Sequence, residues 1–160
     1  MKVEVVETTL VPPSEATPRH ALWLSNLDLA VPKTHTPLVY YYPKPRKPSS
    51  VADEGAEDAA AAADSSFFDP ARLRDALAKA LVPFYPLAGR LAVGPGGRVE
   101  IDCTGEGALF AVARADFAGA DVFRDFEPSP EARRLLVPFA ASGDPPCVLA
   151  MVQVRLACLR

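Results

Sequence analysis

The sequence predicts an α/β fold, a mixed sheet with flanking helices, and three stretches carry that reading. Between Asp69 and Leu81 the apolar residues recur with a helical period. Between Arg98 and Cys103 apolar and polar residues alternate as in a half-buried strand. Cys147 to Leu156 is apolar almost throughout, the pattern of a strand buried on both faces. The chain has 160 residues, 49% of them hydrophobic, which suffices for the core of one domain or of a piece of something larger.

In chain order, Lys2 to Val11 alternates in part and predicts a strand, which Pro12 and Pro13 end. Ser14 to Pro18 is a turn. Ala21 to Leu29 is apolar at positions 22, 24, 27 and 29, either a short strand or an irregular buried segment. Leu38 to Tyr42 is β-branched and aromatic, which predicts a strand fenced by Pro37 and Pro43. Pro43 to Ser66 is basic, then acidic and alanine-rich, with almost nothing large and apolar to bury. It predicts a disordered insert over 43–66.

Asp69 and Pro70 open the helix, one as N-cap and the other in the first turn, where a missing amide hydrogen does no harm. Leu73, Ala76, Leu77, Ala80 and Leu81 form its apolar face. Pro83 stops it near Val82. In the corner that follows, LVPFYPLAGRL, the residues Phe84, Tyr85 and Leu87 are expected in the core. Gly89 is expected to take backbone angles that a side chain forbids. Arg90 to Val93, the turn Gly94-Pro95-Gly96-Gly97 and Arg98 to Cys103 make a hairpin. Ala108 to Arg114 is a third strand, Asp116 to Phe126 is irregular, and Pro130 to Leu136 is a short helix. A doubly buried strand at 147–156 needs neighbours that the four residues after it cannot supply, which suggests a chain cut short.

Composition excludes several function classes. A net charge of −3 and a pI near 5.4 argue against a broad phosphate-binding surface, so no nucleic acid is expected. No run reaches the roughly eighteen apolar residues of a membrane helix, and MKVEVVETTL lacks the apolar centre of a signal peptide. Cys103, Cys147 and Cys158 form no CxxC pair and leave an odd thiol. That suits free thiols in a reducing compartment and no zinc site. Of the two histidines, neither His20 nor His35 begins His-x-x-x-Asp, and no carboxylate–histidine cluster has metal-ligand spacing. His35, in PKTHTP, is the one general-base side chain in a preorganised loop; alone, such a residue is more often structural.

Four blocks in order carry a resemblance: NLDLAVPKTHTPLVYYY, LVPFYPLAGRL after an amphipathic helix, GRVEIDCTGEGALF, and LAMVQV. Together they resemble the plant BAHD acyltransferases, in particular the hydroxycinnamoyl-CoA transferases of the shikimate/quinate type. The resemblance runs from Val3 to about Val154 apart from the insert. It implies that residues 1–160 are the N-terminal, incomplete part of a chloramphenicol-acetyltransferase-like fold. It also implies a monomeric, cytoplasmic enzyme with no bound cofactor and acyl-coenzyme A as co-substrate. Its partners would be that thioester and a small alcohol or amine acceptor. The family's base, in His-x-x-x-Asp, and its Asp-Phe-Gly-Trp-Gly motif are not in this sequence, so no catalytic residue is assigned. By resemblance the substrate-binding residues are Tyr40, which matches a tyrosine that holds the hydroxycinnamoyl ring hydroxyl, and His35, bordering the acyl pocket. Leu38 stands where serine is common. The other reading is a truncated, non-catalytic protein that binds an aryl ligand or a partner.

Overall fold

The computed structural model describes residues 1–42, 68–123, 127, 129–137 and 147–157. The expected insert at 43–66 lies outside the described residues. Among the described residues, seven strands form two sheets. The first has the order β1 (Val3–Val11), β5 (Ala108–Ala115), β7 (Met151–Ala157). The second has the order β2 (Ala21–Trp23), β4 (Val99–Asp102), β3 (Arg90–Val93), β6 (Cys147–Val148). Four α-helices among the described residues accompany them: α1 (Asn26–Ala30), α2 (Pro70–Ala80), α3 (Gly119–Phe123) and α4 (Pro130–Leu136).

The first sheet is mixed because β5 pairs antiparallel with β1 and parallel with β7. The strand buried on both faces is β5, not the 147–156 run. That run divides at Leu149 and Ala150. Cys147 and Val148 pair with β3 in the second sheet, and Met151 onward pairs with β5 in the first. Its second half lies at a sheet edge among the described residues, with Val152 and Leu156 each 38% exposed. Apolar composition alone does not tell a central strand from an edge strand whose exposed side chains happen to be apolar.

Helix α2 forms as its sequence dictates. The Asp69 side chain accepts from the Ala71 amide, Pro70 occupies the first turn, and the helix gives way to turns from Leu81. Its Leu73, Leu77 and Ala78 pack on Val11, Phe110 and Val112 of the first sheet, with Val154 alongside. A second cluster joins Leu81, Ala88 and Ala108 to Leu77 and Ala150.

The corner after α2 departs from expectation. Leu81 and Ala88 are buried, whereas Phe84 and Leu87 are exposed. Tyr85–Ala88 is a turn of 3₁₀-helix. Such a turn has three residues per revolution, so Tyr85 and Ala88 share the inner side and Phe84 and Leu87 the outer. Gly89 is needed for space and not for its dihedral angles. Its φ of −89° is ordinary, but a Cβ there would overlap the backbone carbonyl of Asp102. The β3–β4 hairpin is as predicted. Gly97 takes φ 75° and donates its amide to the Gly94 carbonyl at 2.9 Å.

Two helices appear where irregular structure or a strand was expected. Helix α1 follows β2 at once, and Ser25 and Asp28 form a reciprocal cap at its start. Helix α3 lies within the 116–126 stretch that composition left irregular.

Candidate functional site

The candidate site is the segment from Val31 to Tyr42, which carries all three residues expected to bind substrate. It joins neither sheet, and the strand expected at Leu38 to Tyr42 does not form. Strand preference is realised only against a partner. Pro32 and Pro37 bring no amide hydrogen to a ladder. Proline also shapes the start of the segment, where the Thr34 amide donates to the Pro32 carbonyl at 2.8 Å.

Three side-chain contacts place this segment instead. His35 is half-buried, and its Nε2 lies 2.7 Å from the carbonyl oxygen of Val148 in β6. A carbonyl only accepts, so Nε2 carries the proton and donates. Tyr41 stacks on Phe123 of α3, with ring centroids 4.8 Å apart and planes 13° apart. Tyr42 tilts against Phe68 at 5.2 Å. Between the His35 and Tyr41 anchors, Leu38 and Tyr40 are each 74% exposed.

The three predicted residues therefore share one segment without sharing one pocket. Two concavities among the described residues are lined by other side chains. One is formed by Met1, Val122, Glu131, Ala132 and Leu135. The other lies under α1, where Leu24, Leu29, Val31, Leu91 and Val99 supply apolar walls beside Asp28 and Lys33. Among the described residues no cluster of three or more His, Cys, Asp or Glu side chains is arranged to hold a metal ion.

Cys103 and His20 have structural surroundings. Cys103 is buried; burial pushes its thiol above the usual range, and the neighbouring charge of Asp102 adds to this. A thiol held protonated in this way is a poor nucleophile. The His20 ring packs 5.8 Å from that of Tyr85, and its carbonyl accepts the Cys103 amide at 3.1 Å.

Two arginines that sequence reasoning passed over brace the scaffold around the site. Arg90 donates from Nη1 to the carbonyls of Gly89 and Gly107, at 2.7 and 2.9 Å, and pairs with Glu106 at 2.9 Å. Arg98 donates to the Leu24 carbonyl and to Asn26 Oδ1, with its guanidinium 4.7 Å from the centre of the Trp23 ring. Most of these partners are distant in sequence and are brought near by the pairing of β2, β3 and β4, so no local spacing pointed to them. The reciprocal cap of α1 did have a signal, the Ser25-x-x-Asp28 spacing.

Against this geometry, the profile of the Transferase family matches residues 1–156. The chain is 51% identical over 144 residues to a hydroxycinnamoyl-CoA:5-hydroxyanthranilate N-hydroxycinnamoyltransferase of Avena sativa, covering 90% of this chain and 31% of that protein. It is 49% identical over 154 residues to putrescine hydroxycinnamoyltransferase 1 of Oryza sativa subsp. japonica, covering 96% and 31%. It is 46% identical over 136 residues to a shikimate O-hydroxycinnamoyltransferase of Nicotiana tabacum, covering 85% and 27%. The chain thus spans under a third of the length of these relatives. The crystal structure of vinorine synthase superposes with a TM-score of 0.66 at 26% identity, over 98% of this chain and 35% of the other.

Proposed function

Since the chain belongs to the Transferase family, the BAHD acyltransferases with a chloramphenicol-acetyltransferase-like fold, we propose that it forms one wall of the acyl site of a hydroxycinnamoyltransferase. The observation that carries this is a pattern among relatives. Their names share the hydroxycinnamoyl group, whereas their acceptors are an aromatic amine, an aliphatic amine and an alcohol. Near-equal similarity to all three supports a common donor site within these residues. It leaves the acceptor, alcohol or amine, undecided.

In this reading the donor is a hydroxycinnamoyl thioester of coenzyme A, which is a co-substrate and not a resident cofactor. The acceptor oxygen or nitrogen attacks the thioester carbonyl carbon, the C–S bond breaks, and coenzyme A leaves as its thiol. The Tyr40 hydroxyl meets the ring hydroxyl of the acyl group. Leu38 lies against the aryl face and offers no hydrogen bond. His35 holds the border of the pocket through its bond to Val148. The enzyme works as a cytoplasmic monomer on small molecules. Removing the acceptor proton requires a base, a contribution of about 10²–10⁴ in rate. No histidine in these residues begins His-x-x-x-Asp, so no turnover is assigned to them alone.

Calorimetric titration of residues 1–160 with 4-hydroxycinnamate tests the binding claim. The parent chain binds, and Tyr40→Phe weakens binding roughly fivefold, as the loss of one neutral hydrogen bond does. Equal affinity in the two proteins defeats the assignment of Tyr40. Thiol release from p-coumaroyl-CoA with shikimate, quinate or putrescine should be absent. Release that vanishes in His35→Ala would make His35 a base and refute the non-catalytic part of the reading.

A further inference from the structure

The contacts that hold Tyr40 in place are not made by Tyr40. In the stretch from Val39 to Tyr42 exposure alternates, at 44%, 74%, 39% and 62%. Tyr41, the least exposed of the four, is the one held by a stacked ring, and its chain neighbour Tyr40 is the most exposed. The holding element is α3. Gly119 and Phe123 are four residues apart on this helix and so lie on one face of it. Phe123 gives that face a ring that stacks on Tyr41. Gly119 gives it a notch, because a Cβ there would overlap Tyr41 at Cε2. The φ of Gly119 is not in the left-handed region, so the missing side chain serves the ring and not the backbone.

We propose that Tyr41, seated against Phe123 and in the notch at Gly119, is the positioning residue that fixes Tyr40 for contact with the aryl end of a hydroxycinnamoyl group. The inference rests on the reading of Tyr40 given under the proposed function. The seat recognises a flat ring and takes no part in the acyl transfer. The Tyr41 hydroxyl is dispensable, since the contact with Phe123 is between rings. A non-aromatic residue at position 41 keeps the chain but loses the stack, and an offset aromatic pair contributes up to about tenfold in an equilibrium constant.

Two measurements on the full chain test this, with Tyr41→Phe, Tyr41→Ser and Tyr40→Phe beside the parent. One is the proton shift of Gly119 Hα, which the Tyr41 ring current displaces. The other is affinity for 4-hydroxycinnamate. The displaced shift and the parent affinity should persist in Tyr41→Phe. Tyr41→Ser should return the shift toward its random-coil position and weaken binding by up to about tenfold. Tyr40→Phe should weaken binding and leave the Gly119 shift alone. An undisplaced Gly119 shift in the parent, or full affinity in Tyr41→Ser, overturns the positioning role. Loss of affinity in Tyr41→Phe overturns it as well, because the hydroxyl would then be the active part. If Tyr40→Phe binds as tightly as the parent while the shifts behave as described, the seat stands and the reading of Tyr40 falls.

Discussion

His35 and Val148, 113 residues apart, are joined by a 2.7 Å hydrogen bond from the imidazole Nε2 to a strand carbonyl. The bond ties the irregular 31–42 segment to the shortest strand of the second sheet. His35→Ala leaves the Val148 carbonyl without this donor in a half-buried setting, which costs about 1 kcal/mol, the lower part of the range for an orphaned group. The loss should appear as a lower urea midpoint with an unchanged slope. An unchanged midpoint would mean that water replaces the imidazole at no cost.

Gly89 and Gly96 make a matched pair for a second prediction. Both have φ outside the left-handed region, so alanine strains the backbone at neither. At Gly89 the new methyl group meets the Asp102 backbone, which cannot rotate away; at Gly96 it meets nothing within 4 Å. Gly89→Ala should destabilise by about 1–3 kcal/mol, the usual range for overpacking. Gly96→Ala should leave stability unchanged or slightly raised, since it only restricts the unfolded chain. Thermal melts of the two variants, scanned side by side, decide it. Equal melting temperatures would contradict the close approach of β3 to β4 at this corner.

The cap of α1 supplies a pH dependence. Asp28 accepts from the Ser25 amide at 2.9 Å, and its carboxyl is held below its ordinary value of 3.8 first by the Ser25 side chain and then by that amide. A carboxyl with a depressed folded-state pKa stabilises the fold above its unfolded value. That contribution is lost as pH falls through the folded value. Helix α1 should therefore fray in acid before α2 does. Amide shifts of residues 26–30, followed from neutral pH downward, report the transition. Asp28→Asn should fray α1 at every pH and abolish the titration.

Helix α2 and the β3–β4 hairpin were legible because their determinants are local: a cap, a proline, a period, a glycine turn. The candidate site was legible only in part. Strand character at Leu38 to Tyr42 was inferred from β-branched and aromatic residues, but among the described residues they pair with no strand, and Tyr41 and Tyr42 make ring contacts to Phe123 and Phe68. Neither ring announces itself as a partner in the sequence, since both contacts cross long stretches of chain. The anchoring of His35 was hidden for the same reason: it depends on β6 ending at Val148, which follows from where the 147–156 run changes sheets.

That change of sheet leads to the last prediction. β7 pairs with β5 on one side only, and its outer edge has no strand beside it among the described residues. Val152 and Leu156 stand on this strand at 38% exposure, on the same face as Val154. An apolar strand with an open edge is a template for pairing with another chain. Residues 1–160 should therefore associate as concentration rises, with light scattering growing more steeply than in proportion. A lysine at Val152 places a charge on that strand at a position 38% exposed, beside Phe110 in the parallel pairing. Val152→Lys should suppress the scattering, with a modest fall in melting temperature because the new side chain shares a face with Phe110 and Val154. Val93→Lys is the control. Val93 is more exposed, at 56%, but lies beside the β3–β4 turn, away from the β7 edge. Suppression by both lysines alike would trace the effect to net charge and clear the β7 edge.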